Sequence, residues 1–393
     1  MEPQVNNMEE IEYLTSIYKN GGWPAVASFL QDSQKEREKE LLNIAVTGQS
    51  GAGKSTFINA IRGITDNDPS AAEVDVKETT MKPTPYCSDR FPNVTFWDLP
   101  GIGTTKFSAS TYLHKICYQS YDFFIIVSFS RFSESDASLA CEIKKLDKKF
   151  IFIRSKIDQD IVSYKRKMKT EEEAMEAVRS DCKNNLEKLG IAASQVFLIS
   201  FWDIQRYEFT KMLEAIEKLL PVVKHEHFLL SLATRSKQVI DAKTKILKKR
   251  IVKIATLSCL FCGIPLPLAS ALCNLEVLTT EAKFYYRQYG LDDASLKALS
   301  VQSGKCVDEL QCEITHKYLN EQGKLNILER LEEANGEASF IAYGILSFFS
   351  YFASIPAGVL SFKIVMAMLE RLLDDLAADS WCVLKKAMGT EMQ

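Results

Sequence analysis

Histidine is scarce in this chain, 4 in 393 residues, and none stands at zinc spacing from Cys259 and Cys262. Those two cysteines lie inside an apolar run without a second pair, which excludes the ordinary zinc-finger arrangement. His225 and His227 are two apart and face different ways on a helix, so they do not form a metal pair. Net charge is nearly absent as well: 48 basic against 51 acidic residues leave −3, with no basic excess to suggest nucleic acid. No secretory signal precedes the 10 scattered cysteines. Reduced, buried thiols in a cytoplasmic protein are therefore expected rather than a disulfide framework. The run Lys35 to Glu40 alternates in sign and reads as a solvated helix face.

Glycine is not abundant either, 17 in all, yet Gly48, Gly51 and Gly53 fall together. The stretch Gly48-Gln49-Ser50-Gly51-Ala52-Gly53-Lys54-Ser55 completes the pattern G-x-x-x-x-G-K-[ST] after an apolar run, Leu41 to Val46, that reads as a buried strand. Each position has a physical task. The glycines let the backbone close around a polyphosphate with its N–H groups inward. Lys54 offers a point charge to the β- and γ-phosphates, and Ser55 a hydroxyl to Mg²⁺. Thr56 to Arg62 reads as a helix whose N-terminus adds partial positive charge. A Gly-rich turn that binds nothing is the bland alternative; the strand–loop–helix order argues against it.

Later segments choose the nucleotide. Asn93 to Trp97 reads as a strand leading into Asp98-Leu99-Pro100-Gly101. A strand-end acid followed by x-x-Gly is the second Mg²⁺ anchor and γ-phosphate sensor of P-loop GTPases. Asp98 would hold the ion through water, and the N–H of Gly101 would meet the γ-phosphate. The buried run Phe150–Ile153 ends in Arg154-Ser155-Lys156-Ile157-Asp158, a variant of the guanine box. The Asp158 carboxylate can accept from both guanine N1–H and the 2-amino group; ATP would leave it buried and unpaired. Lys156 can lay its stem across the base. The run Val196–Ile199 ends at Ser200, where a backbone N–H can meet guanine O6.

Between the first helix and Asp98, Glu78-Thr79-Thr80-Met81 holds the candidate switch residues. Thr80, ahead of Thr79, would give a hydroxyl to Mg²⁺ and an N–H to the γ-phosphate; the alternative is a β-branched start to the strand into Pro83. Ile102 follows Gly101, where many small GTPases carry a water-orienting Gln. Hydrolysis by this chain alone should be slow unless a second copy completes the site. Thr104 and Thr105 have no assignable role.

Buried runs at Leu41–Thr47, Val94–Asp98, Phe123–Ser128, Phe150–Arg154 and Val196–Ser200 alternate with helical stretches at Ser110–Ser120, Glu134–Lys148 and Glu171–Leu189. Thr170 before acidic residues marks a helix start. This alternation predicts an α/β domain over 41–221, a doubly wound, mostly parallel sheet with ligands beyond its C-terminal strand ends. Past Pro221 the strand signals stop, and 222–393 reads as an all-α domain. The segment 1–40, with Ile11, Leu14, Ile17 and Tyr18 at helical spacing, is expected to pack onto it. Two uncharged runs, Ile254–Leu275 and Ala338–Phe362, are long enough by count to span a bilayer. Gly263, Pro265 and Pro267 interrupt the first; Pro356 and Gly358 interrupt the second. Paired buried helices are the plain expectation, with reversible membrane contact or spanning as alternatives. The basic residues of Lys243–Lys253 suit a solvated helix face or anionic headgroups.

These motifs resemble those of the interferon-inducible, immunity-related GTPases, a dynamin-like family. The likeness rests on Gly48–Asn59, Thr79–Pro85, Asn93–Thr105 and Tyr121–Phe132, with Gly290–Leu296 adding support. It implies a Ras-like G domain set on a helical domain built from both termini. It also implies GTP and GDP binding at Gly51–Thr56, Lys156 and Asp158, slow hydrolysis, and GTP-dependent self-association through G domains. Peripheral action on intracellular membranes, such as pathogen vacuoles, would follow. Lys54 matches the branch with lysine rather than methionine in the loop, and Glu78 falls where a glutamate is implicated in activation across the dimer. The chain departs from the family in three places. It starts Met-Glu-Pro, without the glycine that some relatives have myristoylated. The early switch threonine is missing around Val74-Asp75, and Ser200-Phe201 replaces serine–asparagine. Two functions stay open: a GTPase stimulated when G domains meet, and a nucleotide-gated binding module without useful turnover. Asp158 argues against an ATPase or kinase.

Overall fold

The computed structural model describes residues 39–74, 82–88, 91–101, 109–129, 133–165, 170–190, 196–203, 206–261, 267–319 and 356–389, with residues 17 and 29. Two compact units are present; one is Glu40–Arg235, and the other holds the described residues from Ser236 onward. The 1–40 helical segment lies almost wholly outside the described residues.

In chain order the first unit contains β1 (Leu42–Gly48), α1 (Lys54–Arg62), β2 (Thr84–Ser88), β3 (Phe91–Asp98), α2 (Ala109–Lys115), β4 (Phe123–Ser128) and α3 (Glu134–Lys145). There follow β5 (Lys149–Arg154), α4 (Ile157–Lys165), α5 (Glu171–Glu187), β6 (Val196–Leu198), α6 (Phe209–Leu219) and α7 (Val222–Ser231). The strands form one sheet in the order β2-β3-β1-β4-β5-β6. All neighbours are parallel except β2, which runs antiparallel to β3. Every residue of β4 is buried, as a strand covered on both faces requires. On one side, Phe124, Ile126 and Phe152 pack with Leu113 of α2, Leu139 and Ile143 of α3, and Leu186 of α5. Each such side chain contributes about 2 kcal/mol by leaving water.

Register decides where the ends fall. Val46 lies beside Asp98, Gly48 beside Val127, Ser128 beside Arg154, and Arg154 beside Leu198. The C-terminal strand ends therefore share one edge. Two helices start with reciprocal caps: Ser133 with Asp136 for α3, and Thr170 with Glu173 for α5. The second is the start signal visible in the sequence.

Three expectations need correction. The helix expected over Ser110–Ser120 stops at Lys115, and a short 3₁₀ turn, Tyr118–Ser120, follows Cys117, whose φ is 57°. A residue in the left-handed region cannot continue an α-helix. The domain boundary expected at 221/222 falls instead after Arg235. Helix α7 stays with the sheet because Phe228 packs on Phe96, ring centroids 6.5 Å apart, and Lys224 pairs with Asp122 at 2.7 Å. The described cysteines Cys87, Cys117, Cys141, Cys182, Cys306, Cys312 and Cys382 are free, yet only some are buried: Cys182 is, whereas Cys87, Cys117, Cys306 and Cys312 are exposed. Cys87 is on the edge strand β2 and Cys117 in the turn after α2, where no described element covers them.

The second unit contains α8 (Lys237–Phe261), α9 (Pro267–Gln288), α10 (Asp293–Ser303), α11 (Val307–Gln311) and α12 (Pro356–Met388). Its basic stretch is not wholly a solvated face. Lys243 is buried and donates to the Gln288 carbonyl at 2.8 Å, which lets its ammonium leave water. Arg250 pairs with buried Glu281 at 2.9 Å. Asp292 caps α10 by accepting the Ser295 N–H. Among the described residues, no helix is long and apolar enough to cross a membrane. The run Ile254–Leu275 covers the end of α8 and the start of α9, and most of Ala338–Phe362 lies outside the described residues.

Candidate nucleotide site

The loop leaving β1 passes close to β4. A Cβ on Gly48, whose φ is 139°, would lie 2.0 Å from the Val127 carbonyl oxygen, so only glycine fits. Gly51 and Gly53 also have positive φ, and Gly53 forms the N-cap of α1. The turn is held by Ala52 N–H to Gln49 C=O at 3.2 Å and Phe57 N–H to Gly53 C=O at 2.8 Å. Lys54 is 8% exposed, and its ammonium curls back over the loop to the Gln49 carbonyl at 3.2 Å. Ser50, Ser55 and Thr56 are half-buried along the same turn.

Ser55 and Asp98, 43 residues apart, meet: the Ser55 hydroxyl donates to Asp98 Oδ2 at 2.5 Å. Asp98 is buried at the end of β3, and Leu99 N–H bonds to the Val46 carbonyl at 3.1 Å, fixing the exit toward Gly101. The two side chains supply hard oxygen donors suited to Mg²⁺. Tyr112 of α2 braces this exit; its hydroxyl lies 3.0 Å from Thr47 Oγ1 and donates to the Pro100 carbonyl at 2.9 Å.

The loop after β5 reaches the same place. Buried Ser155 donates through its hydroxyl to the Ala52 carbonyl at 2.8 Å and to the Ser128 carbonyl at 3.1 Å. Lys156 sits at φ 56°, donates to the Gly51 carbonyl at 3.1 Å, and holds its ammonium 4.8 Å from the Phe129 ring centroid. Asp158 lies in the first turn of α4, and its Oδ1 is buried with no hydrogen-bond partner. Its neighbour Asp160 differs, pairing with Arg154 at 2.6 Å. Burial holds the Asp160 carboxyl above its ordinary value, with Arg154 opposing. Ser200, after β6, is fully buried, and its Oγ also lacks a partner. These two orphaned oxygens, one after β5 and one after β6, suit a ligand bearing N–H donors.

Sequence spacing brings Lys54, Ser55, Asp98, Lys156 and Asp158 into view, but not their supports. Gln49 donates through its side-chain amide to the Ser133 hydroxyl, and Ser133 shares a buried network with Asp136. Asp136 Oδ2 accepts from Ser133 N–H and from Ser128 Oγ, both at 3.1 Å. Burial raises the Asp136 carboxyl, and those bonds oppose the shift. The pattern Ser-x-x-Asp is the one signal that could have pointed to this cap. Glu78, Thr79, Thr80, Ile102, Thr104 and Thr105 lie outside the described residues.

A family model described as Interferon-inducible GTPase (IIGP) matches residues 7–387. The chain is 34% identical over 383 residues to Interferon-inducible GTPase 5 of Rattus norvegicus, covering 97% of this chain and 83% of the relative. It is 34% identical over 395 residues to Interferon-gamma-inducible GTPase 10 of Mus musculus, covering 98% and 91%. It is 38% identical over 312 residues to T-cell-specific guanine nucleotide triphosphate-binding protein 2 of Mus musculus, covering 78% and 74%. A complete phosphate loop on a mostly parallel sheet, together with these matches over almost the whole length, places the chain in the interferon-inducible GTPase family.

Proposed function

We propose that this GTPase binds GTP and GDP with Mg²⁺, hydrolyses GTP slowly alone, and turns over faster when two copies meet through their sheet-bearing units. Its work would be done peripherally on intracellular membranes, in cell-autonomous immunity. The observation that carries the base reading is Asp158 Oδ1, buried and unpartnered in the first turn of α4, two residues after Lys156, which grips the phosphate loop. Guanine offers N1–H and a 2-amino group to that carboxylate; adenine offers neither, so ATP would leave a buried charge unpaired.

In this reading the backbone of Gly48–Gly53 turns its N–H groups on the phosphates. Lys54 exchanges its 3.2 Å bond to the Gln49 carbonyl for the β- and γ-phosphate oxygens. Ser55, and Asp98 through water, would hold Mg²⁺, which neutralises charge on those oxygens when bound. Gly101 contributes an N–H at the γ-phosphate, and Thr80 and Glu78 act from the switch segment. Ile102 can neither donate nor accept, so it cannot orient the attacking water. A second copy supplying ordering or charge answers that deficit.

The test is GTP turnover per molecule across a range of protein concentrations. The rate per molecule should rise with concentration. A rate independent of concentration overturns the self-association. Tight GTP binding with no turnover at any concentration, together with GTP-dependent capture by anionic vesicles, favours the nucleotide-gated module to which Ile102 points.

A further inference from the structure

We propose that Phe201 is a positioning residue through which the base seat holds the phosphate loop in shape. The inference rests on the nucleotide site proposed above and adds a residue that guanine recognition does not require. Phe201 follows Ser200 directly, so it belongs to the loop that closes the base side. The ring lies against Phe57 of α1, centroids 5.3 Å apart and planes at 54°. Its edge lies 3.2 Å from where a Cβ on Gly53 would stand.

Gly53 is the residue at which the phosphate loop becomes α1, and its carbonyl takes the first helical bond from Phe57 N–H at 2.8 Å. Phe201 therefore lies beside both residues of that bond. Two other supports reach the loop from the base side: Lys156 to the Gly51 carbonyl at 3.1 Å and Ser155 to the Ala52 carbonyl at 2.8 Å. Together the three side chains hold three consecutive loop residues. The first two act by hydrogen bonds from the loop after β5. Phe201 acts by apolar contact from the loop after β6, at Gly53.

The physical consequence follows from preorganisation. A glycine-rich loop has many conformations, and a phosphate that binds it must meet the cost of ordering it. A ring wedged at Gly53 and Phe57 removes part of that freedom beforehand. Its effect should then appear only for ligands that use the loop.

GDP and GMP separate the two halves of the site, because GMP has no β-phosphate for the loop to cradle. Binding of both to the full-length protein with Mg²⁺ is measured by calorimetry or competition for wild type, Phe201→Tyr, Phe201→Leu and Phe201→Ala. In Phe201→Ala, GDP should weaken about tenfold while GMP changes less than about twofold, so the GDP:GMP affinity ratio falls. Phe201→Tyr keeps the ring and should restore the ratio; Phe201→Leu should lie between. Equal weakening of both ligands, or an unchanged ratio in Phe201→Ala, overturns the proposal. If circular dichroism shows that Phe201→Ala does not fold, Phe201→Leu decides. A ratio lowered by about threefold supports the coupling, and an unchanged one overturns it. Wild type that binds no GDP overturns the nucleotide site itself, and this inference with it.

Discussion

Asp158 and Asp160 stand two residues apart in one helical turn, with different surroundings. Asp160 has Arg154 at 2.6 Å, whereas Asp158 keeps one buried oxygen without a partner. That contrast fits a structural role for Asp160 and the ligand role proposed above for Asp158. Replacing Asp158 by Asn sets an amide N–H against the donors of guanine while changing little in the fold. Competition binding should show the GTP-over-ATP preference of Asp158→Asn falling by roughly tenfold or more, the scale of one lost charged hydrogen bond. An unchanged ratio would mean that the base sits elsewhere. Asp158, Lys54 and Asp98 were legible in the sequence because each follows a buried apolar run at a motif spacing. Their supports were not. Gln49 with Ser133 joins residues 84 positions apart, and Ser155 with Ala52 joins residues 103 apart. Such contacts come from loops meeting at a sheet edge and leave no periodic trace along the chain.

Whole elements show the same division. The runs at β4 and β5 are apolar on both faces, so they announced themselves as central strands. Strand β2 did not. It is a short edge strand with Pro85 and Cys87 exposed, antiparallel to its one neighbour. A half-covered edge carries little hydrophobic signal. Helix α4 escaped notice because it begins at Ile157, inside the guanine box that reads as a loop. Another junction, β6 with α5 and α6, turns on Glu208, which is 2% exposed. Its carboxylate accepts from Arg179 at 2.6 Å, Leu198 N–H at 3.1 Å and Lys211 at 3.0 Å. Burial alone would raise its pKa, but the bonds from Arg179, Leu198 and Lys211 outweigh it and hold the carboxyl below its ordinary 4.5. A depressed folded-state value means stabilisation that is complete above 4.5 and lost as pH falls through the lower folded value. Glu208→Gln should therefore cost about 2 kcal/mol at neutral pH, through the charged hydrogen bond lost to half-buried Arg179, which among the described residues then keeps only Glu176 at 3.6 Å. Urea midpoints measured down the pH scale should converge for the two proteins in strong acid. A gap that stays constant with pH would show that the charge is not what holds the junction.

At the scale of the molecule, membership of the interferon-inducible GTPase family accounts for the phosphate loop and sheet over one compact unit and for helices in the other. A ligand held by the native site and not by the unfolded chain must stabilise by mass action, about 2.7 kcal/mol at a hundred times its dissociation constant. GDP with Mg²⁺ should therefore raise the melting temperature progressively with concentration, and ADP should not. Equal shifts from both nucleotides would contradict guanine selection at Asp158.

Helix α1 is gripped at both ends. The phosphate loop leads into Lys54, while near its other end the Ile61 carbonyl takes the Ala233 N–H at 2.9 Å and the Gly63 carbonyl takes Arg235 at 2.7 Å. A methyl added to Gly63 would stand 2.4 Å from the Ala233 methyl, so this clasp tolerates no extra carbon. The helix is thus a rod of 9 residues, about 13 Å long. One tip carries the phosphate loop, and the other is buttoned to the last residues before the chain departs the sheet. Any axial slip of the rod would have to tug on that departure point.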